Sequence, residues 1–463
     1  MADIDELNPE EVDERNQRIL QDLRRMYPTA TELARPLARV QQRLFYAGDA
    51  PLRSGPGSMN PVSGPTAISG GRVWRRRFGT LASGLVAALL VGALIFVLNQ
   101  AHQSRTGGSG NPSGQVGPFS SLRMIDATTG WALAGKAVLQ TSDGGMHWKD
   151  VTPPGYSLTP DSVMDALTPS QAWVAIPQSN YAATRIFRTT DGGQSWQSTT
   201  IPNGQTGTRV AQITFVNAQD GWILANRGGA ITAEVASIYR TTDGGKTWVN
   251  VANALAASTD GPAPGHLPYG GAKSGIRFLN ASTGWITGTV LVPGFTWLFV
   301  THDGGSTWNQ QKLPLPQGVP SGQLWLRPPL FFSATEGILP VSFSNSVSGA
   351  GIAAVIYTTH DGGATWESTT PAPVALSAVD FLDMQHGWVT DGTVLYVTTD
   401  GGQSWTKMAP GNSFKNVAQL DFVSSTEGWA IGGQGKGARF LLKTVDGGKT
   451  WTPVTSTFSG LSS

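Results

Sequence analysis

Seven aspartates stand at matching places along the chain: Asp143, Asp191, Asp243, Asp303, Asp361, Asp400 and Asp446. Each follows a threonine two residues back and precedes Gly-Gly. Five residues further on comes a tryptophan: Trp148, Trp196, Trp248, Trp308, Trp366, Trp405 and Trp451. A carboxylate beside hydroxyls and glycines could be half of an acid–base pair or a calcium ligand. Where the turn reads Gly-Gly-Lys-Thr, at 244–247 and 447–450, it could also be part of a phosphate loop. Each chemistry fails on spacing. A calcium loop needs several carboxylates, and each turn supplies one. A phosphate loop needs a further glycine where Arg240 and Lys443 stand. The seven aspartates belong to separate units, so they do not pair as catalytic acids.

The same residues have a mechanical use. Asp243 can accept backbone N–H groups of its own turn. Gly244 and Gly245 supply positive φ angles, Thr241 and Thr247 offer hydroxyls, and Trp248 is directed between layers of sheet. Truncating a buried tryptophan costs about 3–5 kcal/mol, so each copy predicts a structural staple.

A second motif precedes each turn: an apolar residue and, seven positions later, tryptophan. Phe215 leads to Trp222, Phe278 to Trp285, Phe381 to Trp388 and Phe422 to Trp429. Met124 to Trp131 and Ala166 to Trp173 follow the spacing, and in the fifth unit Phe331 leads to Ile338. Repeats of this length read as a propeller. Each unit divides into four short strands, A to D, with a tight A–B turn and the Asp-Gly-Gly turn between C and D. The predicted fold is all-β, a seven-bladed propeller of four-stranded blades over 119–457. No strand is donated to close the ring, so closure is expected from packing of blade one on blade seven.

Every insertion falls in a B–C or D–A connection, and these emerge at one end of such a wheel. Variable loops on a rigid frame are where binding concentrates. The expected binding face therefore carries 177–184, 226–236, 253–272, 288–296, 314–328 and 342–353. Its candidate contact residues are Tyr181, Glu234, Asp260, His266, Tyr269, Phe295, Trp297 and Trp325, with Lys273 a nearby charge. No His-x-x-x-His or His-Glu pair occurs, so neither a metal nor a cofactor is expected. A net charge of +1 gives no basic field for nucleic acid.

The eight-residue turns resemble the Asp-box, or bacterial neuraminidase repeat. Paired with Phe-x-Asn-Ala-x-x-Gly-Trp, they are similar to the Asp-box propellers related to photosystem II stability and assembly factors, across 119–457. The resemblance implies a non-enzymatic, membrane-associated binding or assembly scaffold whose partner is a protein. The photosynthetic members use an arginine-rich surface to dock their client, whereas arginines here are spread along the chain. The alternative is a sialidase-type glycoside hydrolase, which needs clustered arginines, a Tyr-Glu nucleophile pair and an acid. The Arg-Ile-Pro sequence of sialidases is absent, Arg185-Ile186-Phe187 being nearest.

Upstream, Leu81 to Leu98 is free of charge over 18 residues. As a helix it would span roughly 27 Å, close to the ~30 Å hydrocarbon core. Arg72, Arg75, Arg76 and Arg77 precede it and Arg105 follows. That asymmetry predicts a cytoplasmic N-terminus and an extracytoplasmic propeller, anchored in the cell membrane by one lipid-facing helix over 79–99. Residues 1–47 read as two amphipathic cytoplasmic helices that could pair with each other or with a cytoplasmic partner. Residues 48–78 form a Gly/Pro/Ser-rich linker with a basic flank, and 100–118 a flexible extracytoplasmic linker.

Overall fold

The computed structural model describes residues 117–178, 183–201, 207–230, 233–255, 262–319, 322–345, 350–433 and 439–461. The segments expected as helices, 1–47 and 79–99, lie outside them, as do the linker 48–78 and all but the end of 100–118. Among the described residues no helix is long and apolar enough to cross a membrane.

Seven antiparallel sheets form the blades of a propeller. The inner strands, A, are Phe119–Met124, Val163–Ala166, Arg209–Phe215, Ala272–Phe278, the interrupted pair Gln323–Leu326 and Leu330–Phe331, Ala378–Phe381 and Gln419–Phe422. Strands B are mostly buried, and Gly130–Ala134 and Gly428–Gly433 are buried at every residue. Both faces meet a neighbouring blade, so these strands read as apolar runs without alternation. Strands D, such as Gln197–Thr200, lie at the rim and are largely exposed.

Each blade locks its two turns together. The first glycine of every Asp-Gly-Gly donates its N–H to a carbonyl of the A–B turn in the same blade. The pairs are Gly144 to Thr128, Gly192 to Ser170, Gly244 to Gln219, Gly304 to Ser282, Gly362 to Thr335, Gly401 to Gln385 and Gly447 to Thr426, at 2.7–3.0 Å. A–B and C–D turns therefore share one end of the wheel, and the variable connections take the other.

Neighbouring blades are joined by the tryptophan of strand B. Trp173, Trp222 and Trp388 each stack face to face on the strand-A phenylalanine of the next blade, Phe215, Phe278 and Phe422, with centroids 3.6 Å apart. Each phenylalanine then meets the turn tryptophan of its own blade edge-on, at 5.8–6.2 Å for Trp248, Trp308 and Trp451. The indole N–H groups of Trp173, Trp222 and Trp388 donate to Gly244, Gly304 and Gly447 of the following blade. Blade five has Ile338 in place of this tryptophan. There Arg327 crosses instead, its guanidinium donating to the carbonyls of Leu376 and Ser377 in blade six.

Ring closure departs from the expectation. Thr457–Ser459 runs parallel to strand D of blade one, pairing Phe458 with Trp148. Thr457 N–H also donates to Met146 and the Ser456 hydroxyl to Gly145. A strand is thus donated, from beyond blade seven to the rim of blade one. Two other blades also exceed four strands. Blade three adds Gly265–His266 in parallel at its rim, and blade five splits its inner strand around Arg327-Pro328-Pro329.

Candidate functional site

The turn aspartates are saturated by their own turns. The Thr241 hydroxyl donates to Asp243 Oδ1 at 2.7 Å, and Gly245 N–H donates to the Thr241 oxygen at 2.8 Å. Thr247 gives its N–H to Oδ1 at 3.0 Å and its hydroxyl to Oδ2 at 2.6 Å. Gly244 and Gly245 have φ of 77° and 89°, which a side chain would resist. Burial alone would raise the Asp243 pKa, but the bonds from Thr247 and Thr241 outweigh it and hold it at about 2. Bonds from Ser195, Thr365 and Ser404 likewise hold Asp191, Asp361 and Asp400 at about 2. Carboxylates this acidic have no proton to give at neutral pH. In blade one His147 replaces the hydroxyl residue, and its ring nitrogen contacts Asp143.

On the variable-loop side, Glu234, Tyr269, Lys273 and Trp297 come together, but as an internal knot. The Lys273 ammonium donates to the carbonyls of Glu234, Tyr269 and Gly271, each at 2.9 Å. It lies 5.3 Å from the Trp297 ring centre. One Glu234 carboxylate oxygen accepts the Lys273 N–H at 2.8 Å, and the other accepts the Asn226 amide at 2.8 Å. Burial pushes the Lys273 amine down to about 7, with the Glu234 charge pulling the other way.

Trp297 was expected to offer contact surface and is instead fully buried, packed on Phe299 and beside Gly271. Two glycines, Gly271 and Gly288, leave it that room. His266 also leaves the loop face. Its strand lies on the rim of blade three, and Gly265 N–H reaches Ser306 in the turn of blade four. Phe295 is half-buried against the shared core of blades three and four. Leu324 and Leu326 pack in the core, and the half-buried Trp325 between them lies on the opposite face of the strand, its indole N–H bonded to the Ser344 hydroxyl at 3.2 Å. Tyr181 and Asp260 lie outside the described residues.

A second constellation lines the central channel. Arg123, Asp165, Arg277, Asp380 and Asp421 each stand one residue before the apolar end of an inner strand, Met124, Ala166, Phe278, Phe381 and Phe422. Their charges act on one another across blades, Arg277 and Arg123 on Asp165, and Asp421 and Arg123 on Asp380, so these side chains meet around the central axis. The carboxylates reach across to the next blade. Asp165 accepts the N–H of Phe215 at 2.6 Å, Asp380 that of Phe422 at 2.5 Å, and Asp421 that of Met124 at 2.5 Å. Arg123 pairs with Asp421 at 3.4 Å. Enclosure raises the pKa of all three acids. For Asp380 the Asp421 charge adds to it, and for Asp421 Arg123 opposes it. Sequence reasoning used the neighbouring apolar residues as spacing marks and passed over these charges. The available signal was a charge inside an inner-strand apolar pattern.

Comparison with known proteins adds two partial matches. Residues 136–259 match the family model described as Sortilin, neurotensin receptor 3. Residues 369–459 match the model described as Photosynthesis system II assembly factor YCF48. No curated protein matches the chain. Among solved structures it is similar to YCF48 bound to D1 peptide, at 18% identity over 74% of this chain and 88% of that one, with a TM-score of 0.40. It is also similar to YCF48 from Cyanidioschyzon merolae, at 15% identity over 73% and 97% of the two chains, with a TM-score of 0.43. A xyloglucanase of family GH74 from Xanthomonas campestris shows 14% identity over 73% of this chain and 54% of its own, with a TM-score of 0.49.

Proposed function

We propose that this chain is a membrane-anchored, extracytoplasmic scaffold of assembly-factor type that binds a protein partner and catalyses no reaction. The observation that carries the reading is the match of residues 369–459, which contain blades six and seven and the closing strand, to the photosystem II assembly factor model. The chemistry of the charged groups supports it. The turn aspartates are held ionised by their own turns, and the channel carboxylates are engaged with backbone N–H groups of adjacent blades. A sialidase-type site would need a tyrosine beside clustered arginines, and among the described residues no inner strand carries a tyrosine. The uncharged stretch Leu81 to Leu98 with its basic flank supports the anchor and its orientation.

The chain contains no cysteine, so single introduced thiols report topology cleanly. A thiol at the exposed turn residue Ala334 should react with a membrane-impermeant maleimide on intact cells, and one at Ser58 should not. The reverse pattern overturns the orientation. Photo-crosslinkers placed on the variable loops of the full chain should trap a protein partner. Hydrolysis of fluorogenic glycosides by the purified full chain would overturn the non-catalytic reading.

A further inference from the structure

Three blades place a cation opposite the strand-B tryptophan: Arg188 opposite Trp173, Arg240 opposite Trp222 and Lys443 opposite Trp429. In two of them the A–B turn supplies an acid. Asp220 meets Arg240 at 3.6 Å, and Glu427 meets Lys443 at 2.6 Å. Blade two has Gln171 at that place, in Ser-Gln-Ala-Trp against Gln-Asp-Gly-Trp and Thr-Glu-Gly-Trp. Among the described residues no carboxylate pairs with Arg188. Its Nη1–H donates to the Gln197 side chain at a long 3.4 Å, and its buried Nε–H finds no acceptor. Arg240 Nε–H is likewise without one, so the missing acid is what sets blade two apart.

Arg188 opens onto a cleft of about 140 Å³ between blades two and three, lined also by Gln197, Ser198, Thr199, Gly245 and Lys246. The lining carries two cations and no acid. Its outer wall is strand D of blade two, Gln197–Thr200, which among the described residues pairs on its inner side alone. The molecule shows twice what such an edge accepts. Thr457–Ser459 adds in parallel to strand D of blade one, and Gly265–His266 to that of blade three.

We propose that this cleft binds an acidic peptide segment, which adds in extended form to Gln197–Thr200 and places a carboxylate between Arg188 and Lys246. The guanidinium and ammonium then receive the charge that Asp220 and Glu427 supply internally elsewhere, and the strand edge supplies main-chain bonds. The cleft lies at the C–D turn end of the rim, away from the variable loops. Its occupancy is therefore separate from binding on the loop face.

The test uses the purified full chain in detergent and a fluorescein-labelled peptide of alternating threonine and glutamate, read by fluorescence polarisation. The matching threonine–glutamine peptide is the control. The glutamate peptide should bind more tightly by about tenfold or more, and rising salt should weaken it. Gln171→Glu restores the internal acid and should lower peptide affinity about tenfold while leaving the unfolding temperature unchanged or higher. Arg188→Gln should weaken binding similarly, and Lys449→Gln, at the equivalent turn position in blade seven, should not. Equal binding of both peptides, no binding up to about 1 mM, or an unchanged affinity in Gln171→Glu overturns the proposal. Because the titration reads this cleft alone, its failure leaves the loop-face partner untouched, and loss of that partner leaves the titration unchanged.

Discussion

The indole N–H of Trp429 donates to the carbonyl oxygen of Gly144 at 3.0 Å, and through that bond blade seven holds blade one. The same contact recurs between other blades, but here it joins residues 285 positions apart. Two inner-strand contacts reinforce it: the Gln419 amide with the Leu122 backbone, and Asp421 with Met124 N–H.

Trp429→Phe keeps most of the ring volume and removes the donor, leaving the Gly144 carbonyl without its partner. A cost of about 1–3 kcal/mol is expected. Trp429→Ala should cost about 3–5 kcal/mol. Denaturant titration of intrinsic fluorescence measures both, and equal stability of Trp429→Phe and wild type would show that the bond contributes nothing to closure.

Phe458 packs on Phe119 at 6.4 Å and belongs to the apolar cluster between blades seven and one. Phe458→Ala should destabilise the wheel by about 1–3 kcal/mol. Amide exchange should quicken first in His147–Asp150, the strand it covers, ahead of strands in blade four.

Asp380 and Asp421 have pKa values raised by enclosure, so their ionisation opposes folding. The unfolded chain ionises them first as pH rises past about 3.9. Stability from these two groups is thus complete below that value and declines as pH climbs toward their folded pKa values. The unfolding temperature should fall between about pH 5 and pH 6.5, and Asp380→Asn, which keeps an acceptor for Phe422 N–H, should flatten that slope. The turn aspartates act oppositely. All have lowered pKa values, near 2 for Asp191, Asp243, Asp361 and Asp400, so what they contribute is present above about 3.9 and disappears as pH falls. A stability maximum in mild acid follows, and a monotonic rise from pH 5 to pH 6.5 would contradict it.

Lys273 is spent on three carbonyls inside the knot of blades three and four. Lys273→Met should leave those oxygens unpaired and cost about 1–3 kcal/mol. Trp297 fluorescence should respond along with stability, since its ring lies beside the ammonium.

The wheel was legible because its signals repeat. A turn that needs Thr, Asp and two glycines cannot drift, and seven copies fix seven blades. The closing strand was not legible: Thr457–Ser459 is three residues long, with Thr457 and Ser459 exposed, and such a run carries no period. The strand-B tryptophans were visible, but sequence spacing does not say that an indole will reach the following blade. Among the candidate contact residues, an aromatic in a long loop reads the same whether it faces water or a glycine-lined hollow. Trp297 is the second kind. The channel charges escaped because an inner strand has a third environment, neither core nor outer surface.

The strand that pins the rim of blade one lies after all seven blades in the order of synthesis. Until residue 459 has left the ribosome, and the membrane if the wheel is exported, the nascent chain is an arc with two bare ends. Each end is an apolar, hydrogen-bonding flank suited to the other. Quality control during biogenesis therefore has a defined window, and a stalled or clipped chain would expose both flanks at once.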